Sequence, residues 1–214
     1  MKFRKTDYLA IAVLIAVLIQ LVIMYPLLPD QVVTNWGFDG QVTYGHKSNV
    51  WFLYGVNVLL FPMFFIIPKV DPKGKSYEKV SGFYTAFRLV MVLFLAGVLE
   101  LVIFSAEDAH RFNVGKIVMI AMSLLLIFIG NYLPKCKNNY TMGIKNMWTY
   151  ADDRVWNDTH RFGGVLFVLA GIVSLAATLL LSEQLYFIIS MIAIAGTVIV
   201  TFVYSYLSYK KYNR

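Results

Sequence analysis

The chain is 214 residues long, 59% hydrophobic and 14% charged, with a formal net charge of +7. Ordinary soluble domains carry about 25% charged residues, so this composition excludes a soluble globular domain and points to an integral membrane protein. The single cysteine, Cys136, excludes an intrachain disulfide and a thiol-metal cluster, and it reads as a plain loop residue.

Six apolar runs occur, at 8–28, 50–68, 83–105, 114–133, 162–181 and 185–207. Each has roughly the 20 residues a helix needs to cross a hydrocarbon core. Backbone groups in lipid have to be bonded within their own segment, so each run is predicted to be a helix. The first run follows Lys2, Arg4 and Lys5 and ends at Pro26 and Pro29 without a small-residue cleavage pattern. It is therefore expected to be a retained helix and not a signal peptide.

Basic residues set the orientation. With six spans, fifteen Lys and Arg residues fall on one side and three (Lys47, Arg111 and Lys116) on the other, while Arg88 lies within a span. The excess side is the cytoplasmic one, so both termini are expected inside. The expected fold is an all-α integral membrane protein: a six-helix bundle in the cell membrane, forming a single polytopic domain with an N-terminal half at 1–113 and a C-terminal part at 114–214. Its surroundings are the lipid bilayer. Direct nucleic-acid binding is not expected, because the basic residues are the ones topology demands.

Between the first two runs, segment 29–49 alternates as a strand over 32–36. Turn chemistry follows at Gly37, Phe38, Asp39 and Gly40, and then a return through 41–44. A small external hairpin is predicted. Two strands alone are marginal in water, so it should rest on the helix ends. It is either a ligand-contact element, through Trp36 and Asp39, or an ordered cover. Segment 71–82, with Pro72 and Gly74, reads as a basic inner connector. The short break at 182–184 predicts an antiparallel pairing of the last two helices.

Ionisable groups within membrane spans are functional candidates. Arg88 and Glu100 are twelve residues apart in the third run, about 18 Å along a helix, so they cannot pair with each other. Arg88 is expected to snorkel to the headgroups. Glu100, Gln20 and Asn57 each fall about 8–12 Å below the outer end of their helices. They are predicted to meet in a polar pocket under the hairpin. Ala170, Ser174 and Thr178 form a stripe of small residues suited to close helix packing.

Segment 130–164 is the longest polar interruption of the second half. Gly130 and Asn131 lie at a helix end, which Pro134 terminates. An irregular loop containing Asn139, Gly143 and Lys145 should follow. Thr149 and Asp152 read as a capping box opening a short helix along the cytoplasmic surface, which runs into the fifth span near Gly163 and Gly164. Asp152, Trp156 and His160 share one face of that helix. Trp148, Trp156 and Arg161 suit either the headgroup region or a partner protein. Asp152 and His160 stand about 12 Å apart along the axis, too far to act as an acid–base pair. His46 and His110 are expected outside and His160 inside, so the three cannot gather at one metal. No enzyme, metal or cofactor is expected.

Two stretches resemble known signatures. Leu28, Pro29, Trp36, Gly37, Asp39, Gly40 and Lys47 are similar to an N-terminal signature of the SdpI family of bacterial membrane proteins. Gly130, Asn131, Pro134, Lys135, Asn139, Gly143, Ile144 and Lys145, followed by Trp148, Thr149, Trp156, Thr159, His160, Arg161 and Gly164, are similar to its C-terminal signature. The resemblance implies immunity to a secreted toxin peptide met outside, together with membrane sequestration of a transcriptional repressor inside as a signalling step. From the residues alone, a transporter or exporter of a small solute or peptide is the alternative, although the two halves show no internal repeat and no paired broken helices.

Overall fold

Every apolar run is helical in the computed structural model, which describes residues 3–37 and 41–213. The candidate ligand residue Asp39 lies outside the described residues, as do Phe38 and Gly40. In chain order the elements are α1 (Lys5–Met24), β1 (Gln31–Trp36), β2 (Val42–His46), α2 (Asn49–Val70), α3 (Ser76–Lys79), α4 (Ser81–Phe104), α5 (Val114–Tyr132), α6 (Met147–Ala151), α7 (Asp153–Leu180) and α8 (Glu183–Tyr212). Six of the described helices, α1, α2, α4, α5, α7 and α8, are long and apolar enough to cross a membrane. Their large apolar side chains point outward as often as inward: Ile19 on α1, Leu59 on α2, Leu180 on α7 and Ile192 on α8 are all exposed. A soluble protein would not leave such continuous apolar surface uncovered.

The chain forms two compact units, one of residues 1–66 and 82–118, the other of 67–81 and 119–214. In the first unit α1 starts three residues before the apolar run does, because Asp7 supplies its start. The Asp7 carboxylate accepts the Arg4 amide at 2.8 Å, bonding a group the first turn leaves free. The chain after α1 turns through a short 3-10 segment, Tyr25–Leu27, into the antiparallel hairpin β1–β2. Gln31 faces His46 and Trp36 faces Val42, with a bulge between Val33 and Asn35. Val32 and Val33, just before the bulge, are both fully buried, so the strand is covered on both faces there. Val32 joins Leu21, Leu28, Val50, Leu99 and Ile103 in one apolar cluster, and that packing supports the hairpin.

In the second unit α7 and α8 are antiparallel: the Phe162 and Tyr204 rings stack at 4.1 Å, and Ala177 lies in one cluster with Tyr186. The 28 residues of α7 and the 30 of α8 span about 42 and 45 Å, well beyond a hydrocarbon core of about 30 Å. The short surface helix expected to run into the fifth span near Gly163 and Gly164 is not a separate element: residues 153–161 are the opening turns of α7 itself. These glycines serve close approach. A Cβ on Gly164 would stand 2.7 Å from the Gly130 carbonyl oxygen of α5, and one on Gly130 would stand 2.7 Å from that of Gly164. One turn pair further, a Cβ on Gly171 would meet the Ser123 carbonyl at 2.7 Å.

Candidate functional site

Two groups of polar residues stand out, one in each unit. In the first unit Gln20 Nε2 donates to Glu100 Oε2 at 2.6 Å, so two of the three expected pocket residues meet. Asn57 does not join them. It donates to the Val92 carbonyl at 3.1 Å, two turns earlier on α4, and its Oδ1 has no partner among the described residues. Equal depth fixes position along a helix but leaves rotation about its axis open. Trp36 is anchored on the α4–α5 connection, its indole N–H donating to the Ala109 carbonyl at 3.3 Å. Lys47 pairs with Asp30 at 3.1 Å and reaches the Leu28 carbonyl at 3.3 Å, which ties the hairpin to the end of α1.

Arg88 departs from expectation. It is fully buried instead of snorkelling, and its guanidinium forks onto Asp7, with Nε to Oδ1 at 2.9 Å and Nη2 to Oδ2 at 2.8 Å. Phe65 lies 4.3 Å from the guanidinium carbon. Two charges are thus removed together with most of their hydrogen-bonding demand met, which is the condition for tolerating such a pair away from water. Asp7 was missed because it sits among N-terminal loop charges, 81 residues from its partner.

In the second unit the signature segment folds into a knot of side chain to backbone bonds. Asn139 is buried; its Oδ1 accepts the amides of Thr141 and Met142 at 2.9 and 2.6 Å, and its Nδ2 donates to the Lys137 carbonyl at 2.8 Å. Asp71 closes the knot from the preceding connector. Its carboxylate accepts the Tyr77 hydroxyl at 2.8 Å and the Tyr140 amide at 3.0 Å. Burial alone would raise the Asp71 pKa, but the bonds from Tyr77, Lys73, Tyr140 and Thr141 outweigh it and hold the carboxyl below its ordinary value. The connector is thus more than a basic loop. Asp71 followed by Pro72, Lys73 and Gly74 is an Asx-turn pattern, the one local signal that marked it.

Gly143 has φ 114°, and a Cβ there would collide with His160 Nε2 and lie 3.1 Å from Trp156. The glycine lets the loop backbone close over the His160 ring. The Ile144 amide donates to His160 Nε2 at 2.9 Å, so that nitrogen carries the lone pair and Nδ1 donates to the Trp156 carbonyl at 2.8 Å. This assigns a neutral ring acting as a bracket between loop and helix. Trp156 stacks on His160 at 4.1 Å, and its indole donates to the Cys136 carbonyl at 2.9 Å. Tyr150 packs beside Trp156 and stacks on Tyr140 at 5.4 Å. Cys136 is buried, and desolvation pushes its thiol up to about 11.

The capping differs from the expected register. Asn146 caps α6, accepting the amides of Trp148 and Thr149, and Thr149 is the residue that reaches back. Asp152 is the N-cap of α7, and it is held to about 2 chiefly by its hydrogen bond from Arg154. Asp152 pairs with Arg154 at 2.6 Å. Trp148 packs edge-on to Phe202 at 4.9 Å, Lys145 donates to the Thr141 carbonyl at 2.9 Å, and Asn131 bonds within α5 to Ile127 at 2.9 Å. Pro134 lies in the 3-10 turn that follows α5, with its ring against Gly164, and Arg161 is exposed. Beside this knot a half-open cavity of about 340 Å³ is lined by Lys73, Ser76, Lys79, Lys137, Asp153 and Trp156, among others. No group of three His, Cys, Asp or Glu side chains among the described residues is placed to hold a metal.

Six membrane-length helices and two internally bonded polar regions define a multi-pass protein of the bacterial membrane. Residues 135–205 match the SdpI/YfhL protein family, and residues 11–58 match a domain of unknown function (DUF1648). The chain is 22% identical over 209 residues to "Immunity protein SdpI" of Bacillus subtilis (strain 168), covering 98% of each chain. It is 30% identical over 88 residues to "Uncharacterized protein YfhL" of the same organism, covering 41% of this chain and 74% of that protein. No solved structure matches it. The chain belongs to the SdpI/YfhL protein family.

Proposed function

We propose that this protein confers immunity to a secreted antimicrobial peptide. The observation that carries the reading is similarity to an immunity protein along 98% of both chains. In this reading both termini and the signature knot face the cytoplasm, as the fifteen-to-three distribution of basic residues requires. The hairpin β1–β2 and the Gln20–Glu100 pair then belong to the outer half. That is where a peptide arriving from outside is met, and Trp36 and Asp39 are the hairpin's contact candidates. The knot around Asn139, Trp156 and His160 is the inner scaffold. The exposed side chains near it, such as Arg161, are where a sequestered repressor would dock. The protein works by binding and not by catalysis.

The test is growth of a sensitive bacterial strain carrying the gene or an empty vector, challenged with the secreted peptide encoded beside it. Protection by the gene is expected. Equal killing with and without it, at verified membrane expression, would overturn the proposal.

A further inference from the structure

We propose that the cavity beside the signature knot is a binding site for a phosphate group, carried either by an anionic lipid headgroup or by a small soluble phosphate ester. Three lysines line it, from two separate segments: Lys73 and Lys79 flanking and ending α3, and Lys137 in the loop after α5. Among the described residues no carboxylate lies within 4.0 Å of any of them. The one acidic residue of the lining, Asp153, is engaged by Asn138, whose Nδ2 donates to its Oδ1 at 2.6 Å. The lining therefore carries a net charge of about +2, three lysines against Asp153. Like charges collected around a concavity repel, and a bound anion removes that cost.

The walls are fixed before any ligand arrives. Ser76 donates to the Asn138 carbonyl at 2.9 Å, joining the α3 wall to the loop wall. Behind them Tyr77, Asp71 and Asn139 are locked together, and the floor is Trp156, fully buried and bonded to Cys136. Lysine ammoniums on such a frame act as point charges for phosphate, with little reorganisation needed on binding. At about 340 Å³ the cavity is at the small end of ligand sites, which run from roughly 300 to 1,000 Å³, so it suits a headgroup or a small ester and not a large cofactor. Basic pockets at the cytoplasmic ends of membrane helices are suited to anionic headgroups, but the site stands on its lining, whichever side of the membrane it faces.

The experiment uses the full chain in phosphatidylcholine nanodiscs. One arm titrates inorganic phosphate and glycerol phosphate by calorimetry; the other adds phosphatidylglycerol and counts retained lipid by native mass spectrometry. Saturable binding of one ligand per chain in either arm is expected, weakened at least tenfold in Lys79→Gln/Lys137→Gln. Both lysines are exposed, so the folded state should persist, and an unchanged melting temperature verifies this. Lys210→Gln/Lys211→Gln removes the same charge from the end of α8 and should bind as the wild type does. Binding confined to the lipid arm identifies a headgroup site, and binding of the soluble esters identifies a metabolite site. No saturable binding in either arm, or equal weakening in the α8 variant, overturns the proposal.

Discussion

At the scale of single residues, the strongest commitment in the first unit is the Asp7–Arg88 pair. Both side chains are buried and each is the other's charge partner, so removing one leaves an uncompensated ion. Arg88→Met should destabilise the fold by about 3–5 kcal/mol, and Asp7→Asn/Arg88→Met should recover much of that loss. Denaturant or thermal unfolding in detergent checks both, and equal loss in the double variant would contradict the pairing. Cys136 offers a second check. At pH 8 about one thiol in a thousand is ionised if burial holds it at about 11. Maleimide should therefore label the folded protein slowly and the denatured protein at once, as read by mass shift. The pair was illegible in the sequence because no local pattern links a residue in the first turn of α1 to one in α4. Gln20 and Glu100 were legible because depth is simple arithmetic on helical rise, but Asn57 shared their depth and faced elsewhere.

At the scale of elements, the signature segment is held by groups whose individual roles are structural. Asp71 joins the connector to the loop at 139–141. Its folded pKa lies below its unfolded value, so its stabilisation is fully present above the unfolded carboxylate pKa of about 3.9 and is lost as pH falls through the lower folded value. Wild type should lose stability through the region below about pH 4, while Asp71→Asn should be less stable at pH 7 and flatter across the acid range, as measured by melts at stepped pH. The α5–α7 contact is steric. Gly164→Ala places a methyl 2.7 Å from the Gly130 carbonyl, and the expected cost is about 1–3 kcal/mol in unfolding experiments. The sequence pattern placed Gly163 and Gly164 where the surface helix meets the fifth span but carried no sign of the neighbour they approach, because glycine spacing along one helix does not name the helix it packs on. The cap falls three residues earlier than Thr149 because Asn146 and Thr149 can each start a helix, and the bond from Asn146 to Ser205 at 2.7 Å on α8, which no local pattern shows, adds to the capping bonds of the earlier one.

At the scale of the whole molecule, the six spans follow from one constraint, the need to bond every backbone group within an apolar run of sufficient length. That constraint acts locally, so the spans were readable to within a few residues, except where α7 and α8 continue beyond the hydrocarbon. There polar residues extend the helices by bonding each other: Tyr212 and Ser208 of α8 donate to Asp158 of α7 at 2.8 and 3.3 Å. The proposed division of labour, recognition by the hairpin end of the first unit and scaffolding by the knot of the second, makes different demands on Glu100 and Trp156. The most direct test is survival under the neighbouring secreted peptide, at matched membrane levels, of cells carrying wild type, Glu100→Ala or Trp156→Phe. Wild type and Trp156→Phe should protect, while Glu100→Ala should lose most protection yet still accumulate folded in the membrane. Full protection by Glu100→Ala would rule out recognition at the hairpin end, and no protection by the wild type would rule out immunity itself.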